Sequence, residues 1–269
     1  QHLIDHLMDE SVQPINSRPS MDYLAERISA LKDEPLRGLC SYGIARLESR
    51  LASFEEADER MKRHLADILI NEEDYCGAAT TLASINLESR GQRISGEEKA
   101  KMYLRISELY LEADETVTAE TFIKRVSLHI DQVSDMQPRL RYQVSFGRIL
   151  DAKRQFLEAA RRFYGVSTEH GRDLEEETLL MLFDKAIVCT ILAKAGPQRS
   201  RMLGALYKDA RTHRATHFRV LESMYKQRLL RGTDVASFEK SLMPHQKALL
   251  ADGMTVLEKA VMEHNMVAC

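Results

Sequence analysis

Two pairs of histidines, His213 with His217 and His2 with His6, carry the four-residue spacing that would let a helix aim both imidazoles at one metal ion. No third ligand lies near either pair, and Arg211, Arg214 and Arg219 would repel a cation. Both pairs are therefore read as ordinary surface histidines, and His245 and His264 as packing and hydrogen-bonding ones. Cys40, Cys76, Cys189 and Cys269 form no CxxC pair and no Cys/His spacing suited to zinc, which leaves buried or incidental thiols in a reducing compartment. The chain has no GxGxxG, P-loop, HExxH, GxSxG or EF-hand pattern, and no HxH pair of the kind zinc isopeptidases use. No catalytic residue, metal or cofactor is assigned.

Charge is the stronger signal. Overall the chain carries -3, yet residues 194–231 hold ten Lys/Arg against only Asp209 and Glu222, a local +8 that leaves -11 for the remainder. Arg199, Arg201, Lys208 and Arg211 are the candidate partner-facing residues of this stretch. Nucleic acid is disfavoured as the partner. The only nearby rings are Tyr207, Phe218 and Tyr225, and the last two fall on an apolar stripe rather than among the cations. A surface that pairs with an acidic protein is the functional reading, and a solvated face the plain alternative. Acidic clusters at 55–59, 72–74 and 175–177 mark helix starts, where carboxylates complement the dipole, so they need no catalytic role.

Helices must position these groups. Gly (12) and Pro (6) are scarce in 269 residues, 44% are hydrophobic and 29% charged, and nearly every segment repeats its apolar residues with helical period. About fourteen helices and no sustained strand are expected. Ser53 with Glu56, Ser95 with Glu98, and Thr255 with Glu258 match the capping box. Pro35 and Pro138 suit first turns, and Gly91, Gly96 and the 165–171 stretch read as stops. Helices are expected over 175–194, 198–208 and 213–231. No apolar run approaches the roughly 18 residues of a membrane span, and no signal peptide opens the chain, so the protein reads as soluble and intracellular.

The helices come in pairs that repeat. Leu69, Leu109 and Ile149 recur at 40-residue spacing, and Ala78, Ala119 and Ala159 at 41 and 40. A period of this length built from two antiparallel helices marks an α-solenoid. The alanines let the second helix of each pair approach the first, and Leu82, Phe122 and Phe163 fill the space beside them.

The stretches "CTILAKAGPQRSRMLGALYKD" (189–209), "LMPHQKALLADG" (242–253), "LEKAVMEHN" (257–265) and "SFEEADERMKRHLADIL" (53–69) closely resemble the PCI-domain family, and within it the helical subunits of the COP9 signalosome. "LMPHQKA" favours the signalosome over the related proteasome-lid subunits. The resemblance implies an all-α, right-handed superhelix of TPR-like helical hairpins: residues 1–152 as repeat arm, and 153–269 as the helical part of a PCI module. It implies a scaffold in a complex that removes Nedd8 from cullins, with the isopeptidase chemistry in another subunit. The implied partners are the other signalosome subunits and the cullin-RING ubiquitin ligase, in cytoplasm and nucleus, with no membrane. The chain begins at Gln1 within a periodic segment and ends where the family continues into a winged helix, so it is expected to be a piece of a longer protein.

Overall fold

The computed structural model describes residues 1–9, 12–28, 33–87, 94–169 and 174–268. Fourteen α-helices account for most of them, and among the described residues there is no strand. The chain forms two compact units, Gln1–Gln132 and Val133–Cys269.

The first unit holds α1 (His2–Leu7), α2 (Pro14–Arg27), α3 (Asp33–Leu47), α4 (Glu55–Asn71), α5 (Tyr75–Ala83), α6 (Gly96–Glu112) and α7 (Thr116–Ser127). The second holds α8 (Met136–Ala152), α9 (Phe156–Glu169), α10 (Glu176–Leu192), α11 (Pro197–Lys208), α12 (Phe218–Tyr225), α13 (Gly232–Lys240) and α14 (Val256–Ala268). From α3 to α7, and again from α8 to α12, each helix packs chiefly on its neighbour in sequence, as antiparallel hairpins that bury one stripe each must do. In the first unit Met21, Ala25, Leu47, Phe54 and Met61 are wholly buried. In the second a single core runs from Leu140 to Leu257 through Phe163, Phe183, Ile187, Leu206 and Leu221.

The hairpins α4–α5, α6–α7 and α8–α9 follow the 40-residue register. Ala78, Ala119 and Ala159 are fully buried at the helix crossings. In the second hairpin Ser107 Oγ donates to the Ala119 carbonyl at 3.0 Å. In the third, a Cβ on Gly147 would stand 2.7 Å from Phe163 Cε1, so only glycine lets the ring lie against the helix there. Burying such a ring contributes about 1.5–3 kcal/mol.

Each of these hairpins turns through one residue of left-handed backbone. These are Glu73, Asp114 and Arg154, with φ of 62°, 59° and 60°, and Gln227 repeats the geometry after α12 at 51°. The next amide in each case reaches back across the helix end: Asp74 N to Leu69 O at 2.9 Å, and Glu115 to Tyr110, Gln155 to Leu150 and Arg228 to Ser223 at 2.8 Å. This is the Schellman closure, made here without glycine.

Several expected boundaries move. Gly96 opens α6 rather than ending a helix, and Gly165 lies inside α9, while Gly91 and Gly171 fall outside the described residues. Ser95 and Glu98 form the full reciprocal box, as do Thr255 and Glu258 (Thr255 N to Glu258 Oε2, 2.7 Å; Glu258 N to Thr255 Oγ1, 3.1 Å). Ser53 does not cap: it belongs to a 3-10 turn over Glu48–Ser53, and the fully buried Phe54 takes the position before α4. Residues 213–231 are not one helix. A 3-10 turn covers Thr212–Arg214, and α12 spans only Phe218–Tyr225.

Candidate partner-binding surface

Pro197 at the first helical position starts α11, and its apolar side (Met202, Leu203, Leu206) turns inward. Arg201 and Lys208 are seven residues apart, two turns of helix, so they share the outer side. Both are exposed, and no acidic side chain among the described residues pairs with either. They are cations available to a partner.

The other two candidates are spent inside the fold. Arg199 is 4% exposed; its Nη2 donates to the Ile191 carbonyl at 3.1 Å and meets Met224 Sδ at 3.4 Å, while its Nε meets no acceptor. Burial lowers its pKa, and the charge of Glu263 acts in the opposite sense. Arg211 grips Asp209 through two nitrogens (2.9 and 2.7 Å), donates to the Ser167 carbonyl at 2.8 Å and covers the Phe183 ring at 4.7 Å. Those hydrogen bonds from Arg211 hold the Asp209 carboxyl below its usual range. A run of basic residues does not disclose which members have a carbonyl or carboxylate waiting elsewhere in the chain. Arg199 and Arg211 therefore serve packing, not display.

The aromatic residues nearby do come together, which spacing alone did not indicate. Tyr207 of α11 and Tyr225 of α12 stack at 4.4 Å between ring centroids and 20° between planes, with Lys226 Nζ 5.7 Å from the Tyr207 centroid. Tyr225 is 37% exposed, not on the buried stripe. No signal in either helix predicts a contact between residues on different elements. Arg201, Lys208 and this stacked pair form a surface that can hold carboxylates and cover apolar groups, with no group placed to break a bond.

Three of the histidines go to structural partners. His213 lies tilted by 57° against Phe218 at 5.0 Å between centroids and His217 meets Phe238 edge-on at 4.8 Å, so the two imidazoles are engaged with different rings. His264 Nε2 lies 2.9 Å from the Arg228 carbonyl. Among the described residues no three His, Cys, Asp or Glu side chains gather around a metal-sized space. Burial raises the Cys40 thiol to about 11 and, with Asp151 adding to it, lifts Cys189 well above its ordinary value. Neither is a nucleophile at neutral pH.

The "LMPHQKALLADG" stretch is fixed by buried polar contacts. Gln246, 4% exposed in the 3-10 turn Pro244–Lys247, donates to both oxygens of Asp151 on α8 at 3.0 and 2.9 Å and accepts from the Met243 amide at 3.0 Å. His245 Nε2 lies 3.2 Å from Asp151 Oδ2, at an angle too poor for a hydrogen bond. Beyond it the chain reverses at Gly253, whose φ of +80° suits glycine, with Leu249 bridging Thr255 just before α14.

A family model described as PSMD12/CSN4, N-terminal, matches residues 1–171. The chain is similar to COP9 signalosome complex subunit 4 of Emericella nidulans (39% identity over 99% of this chain and 65% of that protein). The same holds for subunit 4 of Arabidopsis thaliana (36%, 100% and 69%) and of Dictyostelium discoideum (38%, 98% and 67%). The chain spans about two thirds of the length of these curated relatives. An all-α hairpin fold with a 40-residue register and similarity that runs from one end of the chain to the other place it in one family: the chain belongs to the COP9 signalosome subunit 4 proteins.

Proposed function

We propose that the chain is a non-catalytic scaffold of a signalosome that removes Nedd8 from cullins. It binds other subunits and contributes contacts to the cullin-RING ubiquitin ligase, in cytoplasm and nucleus. Residues 1–152 act as the repeat arm and residues 153–269 as the helical part of the PCI module. The observation that carries this reading is similarity of 35–39% over 98–100% of the chain to proteins that share one subunit name. It is supported by the disposition of two thiols and three histidines: burial raises Cys40 and Cys189 out of the nucleophilic range, His213 and His217 lie against aromatic rings, and His264 meets a carbonyl. Among the described residues no helix is long and apolar enough to cross a membrane.

The partner-facing residues are Arg201 and Lys208, with the Tyr207–Tyr225 stack beside them. Arg199 and Arg211 act beneath that surface by holding it together. Charge reversal of both exposed residues (Arg201→Glu with Lys208→Glu) in the full-length protein is expected to weaken capture of signalosome subunits or of a cullin-RING ligase at least tenfold, with unfolding unchanged. Loss of about 1.4 kcal/mol corresponds to that factor. Undiminished capture of both, measured by co-purification and titration at two salt concentrations, removes the surface from the proposal. Deneddylation by the purified full-length protein alone would remove the scaffold reading itself.

A further inference from the structure

The outer side of α11 has a shape as well as a charge. Arg201 and Lys208 stand about 10.5 Å apart along the helix axis, and the residues that lie between them on that side are Gly204 and Ala205. Nothing longer than a methyl group rises between the two charges. A Cβ on Gly204 would stand 3.5 Å from Tyr225 Cε2, so the partly exposed Tyr225 ring walls this bare floor on one side. Lys226, the next cation, is spent on Glu222 at 2.5 Å, whereas no carboxylate among the described residues pairs with Arg201 or Lys208.

This layout selects an occupant by charge and by distance. Two unpaired cations flanking an apolar floor complement two carboxylates flanking an apolar side chain. An extended peptide sets same-side residues about 7 or 14 Å apart, and neither matches the spacing of the cations. A helix sets residues seven apart at about 10.5 Å on nearly one line, with the third and fourth residues between them on the same side. Small residues on the receiving helix let a second helix approach closely. Exposed ion pairs fix register more than strength, so the apolar residue between them must supply the buried area.

Resting on the reading of Arg201 and Lys208 as partner-facing residues, we propose that the outer side of α11 receives one acidic helix of a partner protein, laid along it. That helix carries carboxylates at positions i and i+7 and a large aliphatic residue at i+3 or i+4. The carboxylates pair with Arg201 and Lys208, and the aliphatic side chain covers Ala205 and the edge of the Tyr225 ring.

The experiment places p-benzoylphenylalanine at Ser200, exposed at the rim beside Arg201, in the full-length protein. The protein is captured with its partners and irradiated, and the cross-linked segment is identified by mass spectrometry. The segment expected is helical, with two acidic residues seven apart and an aliphatic residue between them. Changing those two acids to lysine should restore at least tenfold of the capture lost in Arg201→Glu with Lys208→Glu, and lysine at two other acids of the same partner should restore none. Ala205→Trp, which fills the floor at an exposed position, should weaken capture at least tenfold with unfolding unchanged, and Ala205→Ser should leave it as it was. A cross-link to a segment without the acidic pair overturns the proposal, as does a charge exchange that restores nothing or undiminished capture by Ala205→Trp. No cross-link from a protein whose capture the charge reversal does weaken overturns the helix alone and leaves the two cations as partner-facing residues. Capture untouched by the charge reversal removes the surface first, and the helix with it.

Discussion

The hairpin α8–α9 and the closing segment α12–α14 belong to the same compact unit, yet they are held by different physics. In the hairpin, small residues at the crossing (Gly147, Ala159, Ala160) let two long helices meet, and Phe156, Phe163 and Val166 fill the seam. Its stability comes from apolar area, distributed along the helices. The closing segment has helices of eight, nine and thirteen residues separated by irregular chain. Side-chain hydrogen bonds to distant partners hold these stretches: Gln246 to Asp151, Asp184 to the Thr216 amide (3.0 Å), Asn265 to the Leu230 amide (3.2 Å) and His264 to the Arg228 carbonyl. A regular hairpin satisfies its own backbone. An irregular segment borrows donors and acceptors from elsewhere, at the cost of burying polar groups that must then stay paired.

This contrast sets the expected order of mutational effects. Phe163→Ala should be the most damaging: a ring 1% exposed leaves a cavity against Gly147 and Ala159, for a loss of about 3–5 kcal/mol in urea unfolding. Gln246→Ala should cost less, about 2 kcal/mol, because two hydrogen bonds to a carboxylate are lost while little apolar area goes. The separation sharpens if Gln246→Ala also speeds proteolysis near residues 243–255 and Phe163→Ala does not do so selectively. Equal losses in both variants, with no local signature, would mean that the two regions are held in the same way.

Acid should act on the closing segment. His217 sits edge-on to Phe238 with Ser241 Oγ 3.1 Å from Nε2, and burial lowers its pKa below the ordinary value while Asp184 pulls the other way. Neutral imidazole is thus favoured in the folded state, and the unfolded chain binds the proton more readily. The stabilisation is complete above about pH 6.5 and is lost as pH falls from there through the lowered folded value. His217→Gln should flatten this part of the stability–pH curve and leave the alkaline side unchanged. A curve with the same slope in the variant assigns the acid loss to other groups.

The hairpins were legible in the sequence because a stripe of apolar residues with helical period and a recurring alanine are local signals: Leu69, Leu109, Ile149 and the three alanines all proved buried. The closing segment was legible only in part. Thr255 and Glu258 announce α14 because both halves of the capping box lie within one turn. Gln246 and Asp151 are 95 residues apart, and nothing near either one indicates the other. The same limit separates the four basic candidates. Exposure of Arg201 and Lys208 follows from their side of α11, whereas the fate of Arg199 and Arg211 depends on carbonyls of Ile191 and Ser167 that only the packed chain brings near. Helix stops were misjudged for a different reason: glycine is the usual mark of a left-handed turn, and here Glu73, Asp114, Arg154 and Gln227 adopt it.

Those turns give the smallest expected effect and the one feature that both kinds of region share. Arg154 closes α8 within the regular hairpin, and Gln227 closes α12 at the start of the irregular segment, with φ of 60° and 51°. Both side chains are exposed, so replacing them removes little packing. A side chain in left-handed backbone costs about 1–2 kcal/mol, offset in part by the greater freedom of glycine in the unfolded chain. Arg154→Gly and Gln227→Gly should each stabilise by roughly 0.5–1 kcal/mol, by nearly equal amounts, since the backbone hydrogen bond that closes each turn is 2.8 Å in both. A gain at Arg154 without one at Gln227 would show that the 227–231 chain is held by its contacts to α14 rather than by its own turn, which extends the reliance on distant partners one step further back along the chain.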